Sequence, residues 1–163
     1  MNQDYKDLLS AFHSHGVEYL VVDGFAVIYH AQPRFTKDLD LFISTAPANA
    51  KAIHASLSDF GAPLQGIDPN DFTDRKNFFR FGREPKGIDI LPDIPGVRFD
   101  AAWGRRIAIV VDAATGQKAN FISADDLIAS KMASGRPQDL ADAWAIQQAL
   151  GLGSTSEVSP QGD

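Results

Sequence analysis

The spacing of apolar residues along the chain predicts alternating helices and strands. Leu8, Leu9 and Phe12 recur at the interval of one helix face, and Gly16 follows as a stop signal. Residues 17–22 are rich in β-forming side chains and predict a strand. The same criteria predict helices at 25–30 and 48–60, strands at 38–43, 76–81, 88–91, 107–111 and 118–122, and a loop at 61–74. This order predicts an α+β fold, with α/β-like character, in which helices pack on a mixed β-sheet.

Two further helices are predicted after the last strand. Ser123 and Asp126 form a capping-box pattern, with Asp in the place of the usual Glu. Gly135 interrupts the helix that follows, and Pro137 begins a second one, which is expected to end at Leu150. The residues expected to bury these two helices are Leu127, Ile128, Met132, Leu140, Trp144 and Ile146.

The length of the chain favours a single domain. A sequence of 163 residues is long enough for one hydrophobic core. We place the domain at residues 1–150, with its core at 1–122 and the C-terminal helical segment at 123–150. Residues 151–163 are rich in Gly, Ser and acidic side chains, and they are predicted to form a disordered tail.

Composition narrows the class of protein. The hydrophobic fraction of 44% and the charged fraction of 22% are ordinary for a globular domain. The absence of cysteine excludes disulfides and thiolate metal sites, and the net charge of −6 argues against a strongly basic surface that coats nucleic acid. Asp4, Lys6 and Asp7 do not fit a signal peptide, and no apolar run approaches the ~20 residues of a membrane span. We therefore expect a cytoplasmic protein without membrane contact.

Three aspartates stand inside apolar runs that are predicted to be strands. Asp38 and Asp40 are two residues apart, so their side chains share one face of a strand, and Asp89 lies in the later run of 88–91. Like charges at this spacing repel one another unless a cation lies between them, and Mg²⁺ prefers carboxylate and phosphate oxygens. The pattern predicts a site for two Mg²⁺ ions, with Mn²⁺ as an alternative. The competing interpretation is a solvated strand edge, with Asp89 closing a turn.

A glycine-containing turn precedes the paired aspartates. Asp23 and Gly24 join a predicted strand to a predicted helix, and 13 residues separate Gly24 from Asp38. The order of these elements resembles the signature of DNA polymerase β-like nucleotidyltransferases. In that signature a strand and a glycine turn lead into a helix, a D-x-D strand follows, and a later strand carries a lone Asp. Residues 24–27 and 33–41 look like the corresponding segments of small stand-alone bacterial members. The resemblance covers most of residues 17–145.

The C-terminal helices carry a second motif. Lys131, Arg136, Asp139 and Asp142 follow the pattern K-x4-R-x2-D-x2-D. This pattern resembles the last motif of AbiEii/MenT-type nucleotidyltransferase toxins. The alternative role for the two aspartates is to hold Lys131 or Arg136 in place by ion pairing.

The resemblance implies a nucleotidyltransferase fold and a transfer reaction that requires Mg²⁺. An acceptor hydroxyl attacks the α-phosphate of an NTP and pyrophosphate leaves, with Asp38, Asp40 and Asp89 as the catalytic and metal-binding residues. The first expected acceptor is tRNA, in a toxin that is paired with an antitoxin protein. The second is a small molecule, as in enzymes that modify antibiotics. A member without catalytic activity that binds a nucleotide or a partner protein is the third alternative.

Asp23 departs from the family pattern, which has glycine at this position. A carboxylate here puts negative charge near the phosphates and limits the approach of the backbone. The alternative is that Asp23 caps the following helix, because Asp is a favourable N-cap. The departure bears on activity more than on the fold.

Further nucleotide-binding residues are expected around this turn. Arg34, Thr36 and Lys37 precede the acidic strand, where they can meet phosphates, and a guanidinium suits oxygen pairs. The resemblance adds Lys131. The full set of expected nucleotide-binding residues is Asp23, Gly24, Arg34, Thr36, Lys37 and Lys131.

A local basic cluster lies in the later hairpin. It contains Arg75, Lys76, Arg80, Arg83 and Lys86, with three phenylalanines among them. On a strand, Lys76, Phe78 and Arg80 share one face, which can receive an RNA backbone and a base. The alternative is a hairpin with a solvated basic face.

Overall fold

The computed structural model describes residues 1–31, 33–36, 38–83 and 86–158, and for 152–158 it describes the backbone alone. The strands of this part of the chain are β1 (Tyr19–Val22), β2 (Leu39–Ile43), β3 (Phe79–Phe81), β4 (Ile88–Leu91), β5 (Ile107–Asp112) and β6 (Gln117–Phe121). The α-helices are α1 (Gln3–Ser14), α2 (Gly24–His30), α3 (Pro47–Phe60), α4 (Phe99–Gly104), α5 (Ala124–Ser134) and α6 (Pro137–Val158). A 3₁₀ helix covers Pro69–Thr73, inside the predicted loop.

The six strands form one mixed sheet in the order β3-β4-β2-β1-β6-β5. β2 pairs in parallel with β4, and β1 pairs in parallel with β6. The other neighbours are antiparallel, namely β3 with β4, β1 with β2, and β5 with β6. A mixed sheet combined with helices confirms the predicted α+β class.

The central strand β1 is buried on both faces of the sheet. Tyr19, Leu20 and Val21 point to alternate faces because they are consecutive in a strand, and all three are fully buried. A strand of this kind needs cover on both sides of the sheet. The predicted face of α1 supplies part of that cover, since Leu8 and Leu9 are also fully buried. The neighbouring strand β2, which carries Asp40, is therefore anchored in the middle of the core.

The predicted boundary between the two C-terminal helices is confirmed. The Ser123 hydroxyl accepts a hydrogen bond of 3.2 Å from the backbone N–H of Asp126 at the start of α5. Gly135 ends α5 with a φ of 72°, a conformation that glycine adopts without strain. Pro137 is the first residue of α6.

The prediction of how these helices are buried was partly wrong. Met132, Leu140 and Trp144 are exposed, although Leu127 and Ile146 are buried as expected. The buried stripes of the two helices carry charged residues, because Lys131 lies on that of α5 and both Asp139 and Asp142 lie on that of α6. A stripe of ion-paired side chains displaces the apolar residues toward solvent, which a search for apolar spacing alone does not detect.

Helix α6 extends beyond its predicted end. It reaches Val158, so the first part of the expected disordered tail of 151–163 is helical, and residues 159–163 lie outside the described chain. Glycine weakens a helix by about 1 kcal/mol without removing a backbone hydrogen bond, and no proline interrupts the chain between Pro137 and Pro160. Although α6 has 22 residues, none of the described helices is both long and apolar enough to cross a membrane.

The predicted strand of 76–81 is shorter than expected and begins at Phe79. Asp74 accepts hydrogen bonds from the Lys76 backbone and the Asn77 side chain, so the preceding residues form a turn. Local side-chain bonds of this kind compete with strand pairing.

Candidate active site

The three predicted carboxylates converge at one edge of the parallel strand pair. Asp40 on β2 and Asp89 on β4 are directly paired in register, so their side chains leave the same face of the sheet. Asp38 immediately precedes β2, and its Oδ1 accepts a hydrogen bond of 2.9 Å from the backbone N–H of Gly87. We refer to Asp38, Asp40 and Asp89 as the carboxylate cluster.

Arg80 is bound to this cluster. It lies opposite Asp89 on the edge strand β3, and its Nη2 donates to Asp89 Oδ2 at 2.9 Å and to Asp38 Oδ2 at 3.2 Å. From the sequence, Arg80 was expected on a basic face for RNA, and its contact with the carboxylates was not predicted. The register of the β3–β4 hairpin could have indicated this contact, because it pairs Arg80 with Asp89.

Asp40 is partly buried among other carboxylates. Burial raises the pKa of Asp40 to about 8, and the charges of Asp23, Asp89 and Asp38 and a hydrogen bond with Asp89 act in the same direction. Asp40 therefore holds a proton near neutral pH in the metal-free protein. The Oδ1 of Asp89 is buried and has no hydrogen-bond donor among the described residues, apart from the proton that Asp40 can supply.

Tyr5 supports the cluster from α1. Its hydroxyl donates a hydrogen bond of 3.0 Å to the backbone oxygen of Gly87, whose N–H binds Asp38. Burial raises the pKa of Tyr5 to about 12, and the neighbouring charges of Asp38 and Asp40 add to this shift. Tyr5 was not predicted from the sequence to lie near the carboxylates.

The glycine turn faces the same site. An open cavity of about 300 Å³ is lined, among the described residues, by Asp23, Gly24, Arg34, Phe35, Thr36, Asp38 and Asp40. Gly24 packs so tightly there that a methyl group on it would lie 2.3 Å from Thr36 Oγ1. The turn, the phosphate-binding candidates Arg34 and Thr36, and two of the three carboxylates therefore share one cavity. Lys37, which was expected to join them, lies outside the described residues.

Asp23 occupies the N-cap position of α2, but its side chain does not cap the helix, so the side-chain capping alternative is wrong. Its side chain makes no capping hydrogen bond, and its backbone has a φ of 59° and a ψ of −133°. This combination is adopted almost only by glycine, since a side chain causes strain there. The carboxylate instead binds Lys131, with 2.6 Å between Asp23 Oδ1 and Lys131 Nζ.

Lys131 is enclosed by three carboxylates. Besides Asp23, its Nζ lies 3.4 Å from Asp139 Oδ1 and 3.1 Å from Asp142 Oδ2, and the residue is buried. Burial lowers the pKa of Lys131, but the contacts with Asp23 and Asp142 outweigh it and raise the pKa above its usual value. Asp139 and Asp142 therefore form ion pairs with Lys131, as the alternative interpretation of the C-terminal motif expected. Lys131 lines a second cavity of about 250 Å³, which also includes Asp23.

The ion pairs around Lys131 extend to the first cavity. Arg34 donates to Asp142 Oδ1 at 2.6 Å, and Arg136 donates to Asp139 Oδ2 at 2.6 Å. These residues join the turn before α2, the segment before β2 and the two C-terminal helices. We call them the C-terminal ion network; its members are Asp23, Arg34, Lys131, Arg136, Asp139 and Asp142.

The basic hairpin has one exposed aromatic residue. Phe78 is 64% exposed, whereas Phe81 is buried and the ring of Phe79 lies 4.8 Å from that of Phe72. Lys76 and Arg83 are exposed as well. This surface adjoins the carboxylate cluster through Arg80.

No group of three or more His, Cys, Asp or Glu side chains among the described residues has the arrangement of a ready-made metal site. In the carboxylate cluster, Arg80 occupies an oxygen of Asp38 and an oxygen of Asp89. Comparison with models of protein families and with curated proteins finds no match for this chain.

Proposed function

We propose that this protein is a Mg²⁺-dependent nucleotidyltransferase that moves a nucleoside monophosphate from an NTP to an acceptor hydroxyl. The observation that carries the proposal is the pairing of Asp40 with Asp89 on parallel strands, with Asp38 beside them. Asp38 and Asp40 share their cavity with the Gly24 turn. This combination matches the ordered motifs by which the sequence resembles the DNA polymerase β-like nucleotidyltransferases.

The carboxylate cluster fits divalent cations on two observations. Burial raises the pKa of Asp40 and the charges of Asp89 and Asp38 add to the shift, so a cation among these carboxylates relieves their repulsion. Asp89 Oδ1 is also buried without a donor other than Asp40. Asp38, Asp40 and Asp89 would hold the two Mg²⁺ ions, with Mn²⁺ as an alternative. When bound, Mg²⁺ lowers the pKa of an attacking hydroxyl and neutralises charge on the leaving pyrophosphate.

The remaining residues of the cavity bind and orient the nucleotide in this proposal. Gly24 has no side chain, so the backbone of the turn can approach the triphosphate closely. Arg34 and Thr36 line the cavity and can donate hydrogen bonds to phosphate oxygens. Lys37 and Lys131 stay in the proposed set, and Lys131 has to leave its pairing with Asp23 to contact phosphate.

RNA is the acceptor that we favour, with tRNA first and an antitoxin protein as the partner in a cytoplasmic toxin–antitoxin pair. The exposed ring of Phe78 beside Lys76 and Arg83 supports this choice, because bases stack on aromatic rings and cations attract the backbone. A small-molecule acceptor is the alternative within the same reaction class.

A second candidate function is nucleotide or partner binding without catalysis. The observation that favours it is Asp23, whose carboxylate lines the cavity beside the phosphate-binding candidates. Among the neighbouring charges, Asp23 also makes the largest contribution to the raised pKa of Asp40. The negative charge of Asp23 opposes the binding of a triphosphate in this cavity.

A transfer assay with radiolabelled NTPs, Mg²⁺ and total RNA tests the proposal. We expect label in RNA with at least one of the four NTPs, and none with Asp40→Asn, which keeps the shape of the side chain. Thermal melting with Mg²⁺ and each NTP separates the second candidate, because a bound ligand raises the melting temperature without any turnover. A shift without transfer to RNA or small molecules identifies a binding protein, and the absence of both contradicts the two functions together.

A further inference from the structure

Arg80 lies between two of the three carboxylates of the cluster. One nitrogen, Nη2, donates to Asp89 at 2.9 Å and to Asp38 at 3.2 Å, and each bond ends on the Oδ2 of its carboxylate. Asp38 and Asp89 come from separate parts of the chain, and Arg80 comes from a third strand. The guanidinium therefore links segments that would otherwise be kept apart by the repulsion of their charges.

Gly87 leaves the space in which this contact is made. A methyl group at position 87 would lie 2.8 Å from Arg80 Nη1 and 2.9 Å from Asp38 Oδ1, closer than side-chain carbons approach such atoms. The backbone N–H of Gly87 also donates to Asp38 Oδ1, whereas Arg80 binds the other oxygen, Oδ2. Asp38 is thus held by two donors, one from the backbone and one from Arg80.

We propose that Arg80 is a positioning residue that holds Asp38 and Asp89 in the metal-free protein, and that a divalent cation must displace it to bind them. This inference rests on the proposed function in one respect, namely that the carboxylate cluster binds divalent cations. A divalent cation and the guanidinium are both positive, and Asp38 Oδ1 is already bound by the N–H of Gly87. A cation that binds Asp38 and Asp89 together therefore competes with Arg80 for their Oδ2 atoms.

The position of Arg80 allows this exchange. It lies on the edge strand of the sheet, and 42% of its side chain is exposed, so it can turn toward solvent without opening the core. Asp89 and Asp38, in contrast, are 12% and 15% exposed at their side chains and stay in place. A released guanidinium is also a two-pronged donor for phosphate oxygens, so a nucleotide that arrives with the metal favours the exchange.

The affinity for Mn²⁺, followed by the electron paramagnetic resonance of the free ion, tests the inference without any catalytic readout. We expect Arg80→Gln to bind Mn²⁺ about tenfold more tightly than the wild type, because a competing charge-assisted contact is removed. Arg83→Gln is the matched control. It removes the same charge from the turn after β3, and we expect a change of less than about twofold since Arg83 is exposed.

Melting curves of the same variants show whether Arg80 also holds the cluster together. Arg80→Gln should melt below the wild type without metal and should regain more stability from Mn²⁺ than the wild type does. If Arg80→Gln does not fold, Arg80→Lys replaces it, because an ammonium keeps the charge but lacks the fork of the guanidinium. That variant should bind Mn²⁺ more tightly than the wild type, by less than tenfold.

The outcomes separate this inference from the proposed function. Equal or weaker Mn²⁺ binding by Arg80→Gln, with a wild type that binds Mn²⁺, overturns the role of Arg80 and leaves the proposed site intact. If Arg80→Gln binds Mn²⁺ more tightly but the wild type transfers no nucleotide, the role of Arg80 is supported and the proposed transferase activity is contradicted. Failure of every variant to bind Mn²⁺ overturns both.

Discussion

Asp23 combines a strained backbone with a charged side chain that has a defined partner. A φ of 59° with a ψ of −133° costs a non-glycine residue on the order of 1–3 kcal/mol. The ion pair with Lys131 offsets part of this cost, although the Asp23 side chain is 44% exposed, which weakens the pair. Lys131 keeps Asp139 and Asp142 as partners if Asp23 is removed. The pair with Asp23 therefore offsets only part of the strain, and Lys131 stays charge-paired without it.

We predict that Asp23→Gly raises the affinity for NTP and leaves the melting temperature within about 3 °C of the wild type, since strain relief and the lost ion pair oppose each other. Asp23→Ala is the control, because it removes the same charge but keeps the strain. It should raise NTP affinity equally and lower the melting temperature. Calorimetric titration at two salt concentrations measures the first effect, which should shrink at high salt. Weaker NTP binding by the glycine variant would mean that Asp23 helps to place Lys131 for the phosphates.

Asp40 gives the stability of the metal-free protein a dependence on pH. The pKa of Asp40 is about 8 in the folded protein, against 3.8 for an ordinary aspartate. Between these values the folded state binds a proton that the unfolded state has lost, so the free energy of unfolding falls as the pH rises from about 4 to about 8. The shift arises mainly from burial, with further repulsion from Asp23, Asp89 and Asp38.

We predict that Asp40→Asn removes most of this slope and raises the melting temperature at pH 8 by on the order of 10 °C, while the two proteins differ little at pH 4. Melting curves across this pH range without divalent cations provide the measurement. Asp4→Asn, a change of one exposed charge in α1, should keep the wild-type slope. Parallel curves for the wild type and Asp40→Asn would show that Asp40 is ionised in the folded protein at neutral pH.

At the scale of the elements, local pattern predicts which segments form strands but not every partner of their side chains. Asp40 and Asp89 were found because an isolated carboxylate in an apolar run is conspicuous, and parallel pairing then places them together. Tyr5 was missed because its contact, Gly87, is 82 residues away along the chain. Arg80 was assigned to a basic face for RNA or solvent, because strand alternation shows which residues share a face but not which side chains of the neighbouring strand they contact.

The C-terminal helices show the same limit in another form. Apolar spacing predicts which residues cover a core, but the buried stripes of α5 and α6 contain Lys131, Asp139 and Asp142. Charged residues are buried when they neutralise one another, and this requires partners from both helices and from the turn before α2. The sequence motif identified these residues as candidates for a functional role. Their ion-pair partners, which explain why they are buried, could be identified only from the structure.

At the scale of the whole molecule, the C-terminal ion network joins the C-terminal helices to the sheet domain. Asp142 binds Arg34 from the segment before β2, and Lys131 binds Asp23 from the turn before α2. Both contacts cross between residues that are 108 positions apart in the chain. The network therefore fixes the helices beside the cavity and also sets the position of Arg34, which is a nucleotide-binding candidate.

We predict that Lys131→Ala lowers the free energy of unfolding by about 3–5 kcal/mol, because it leaves the buried carboxylates of Asp139 and Asp142 without their shared cation. Arg136→Ala is the matched control. Arg136 also pairs with Asp139, but 74% of its side chain is exposed, so its loss should cost much less than the loss of Lys131. Urea denaturation gives both values, and NTP titration of the same proteins shows whether binding falls in proportion to stability. The prediction would be contradicted if Lys131→Ala were as stable as Arg136→Ala but lost NTP binding. Lys131 would then contact the nucleotide, and its ion pairs would be only the contacts that it makes without nucleotide.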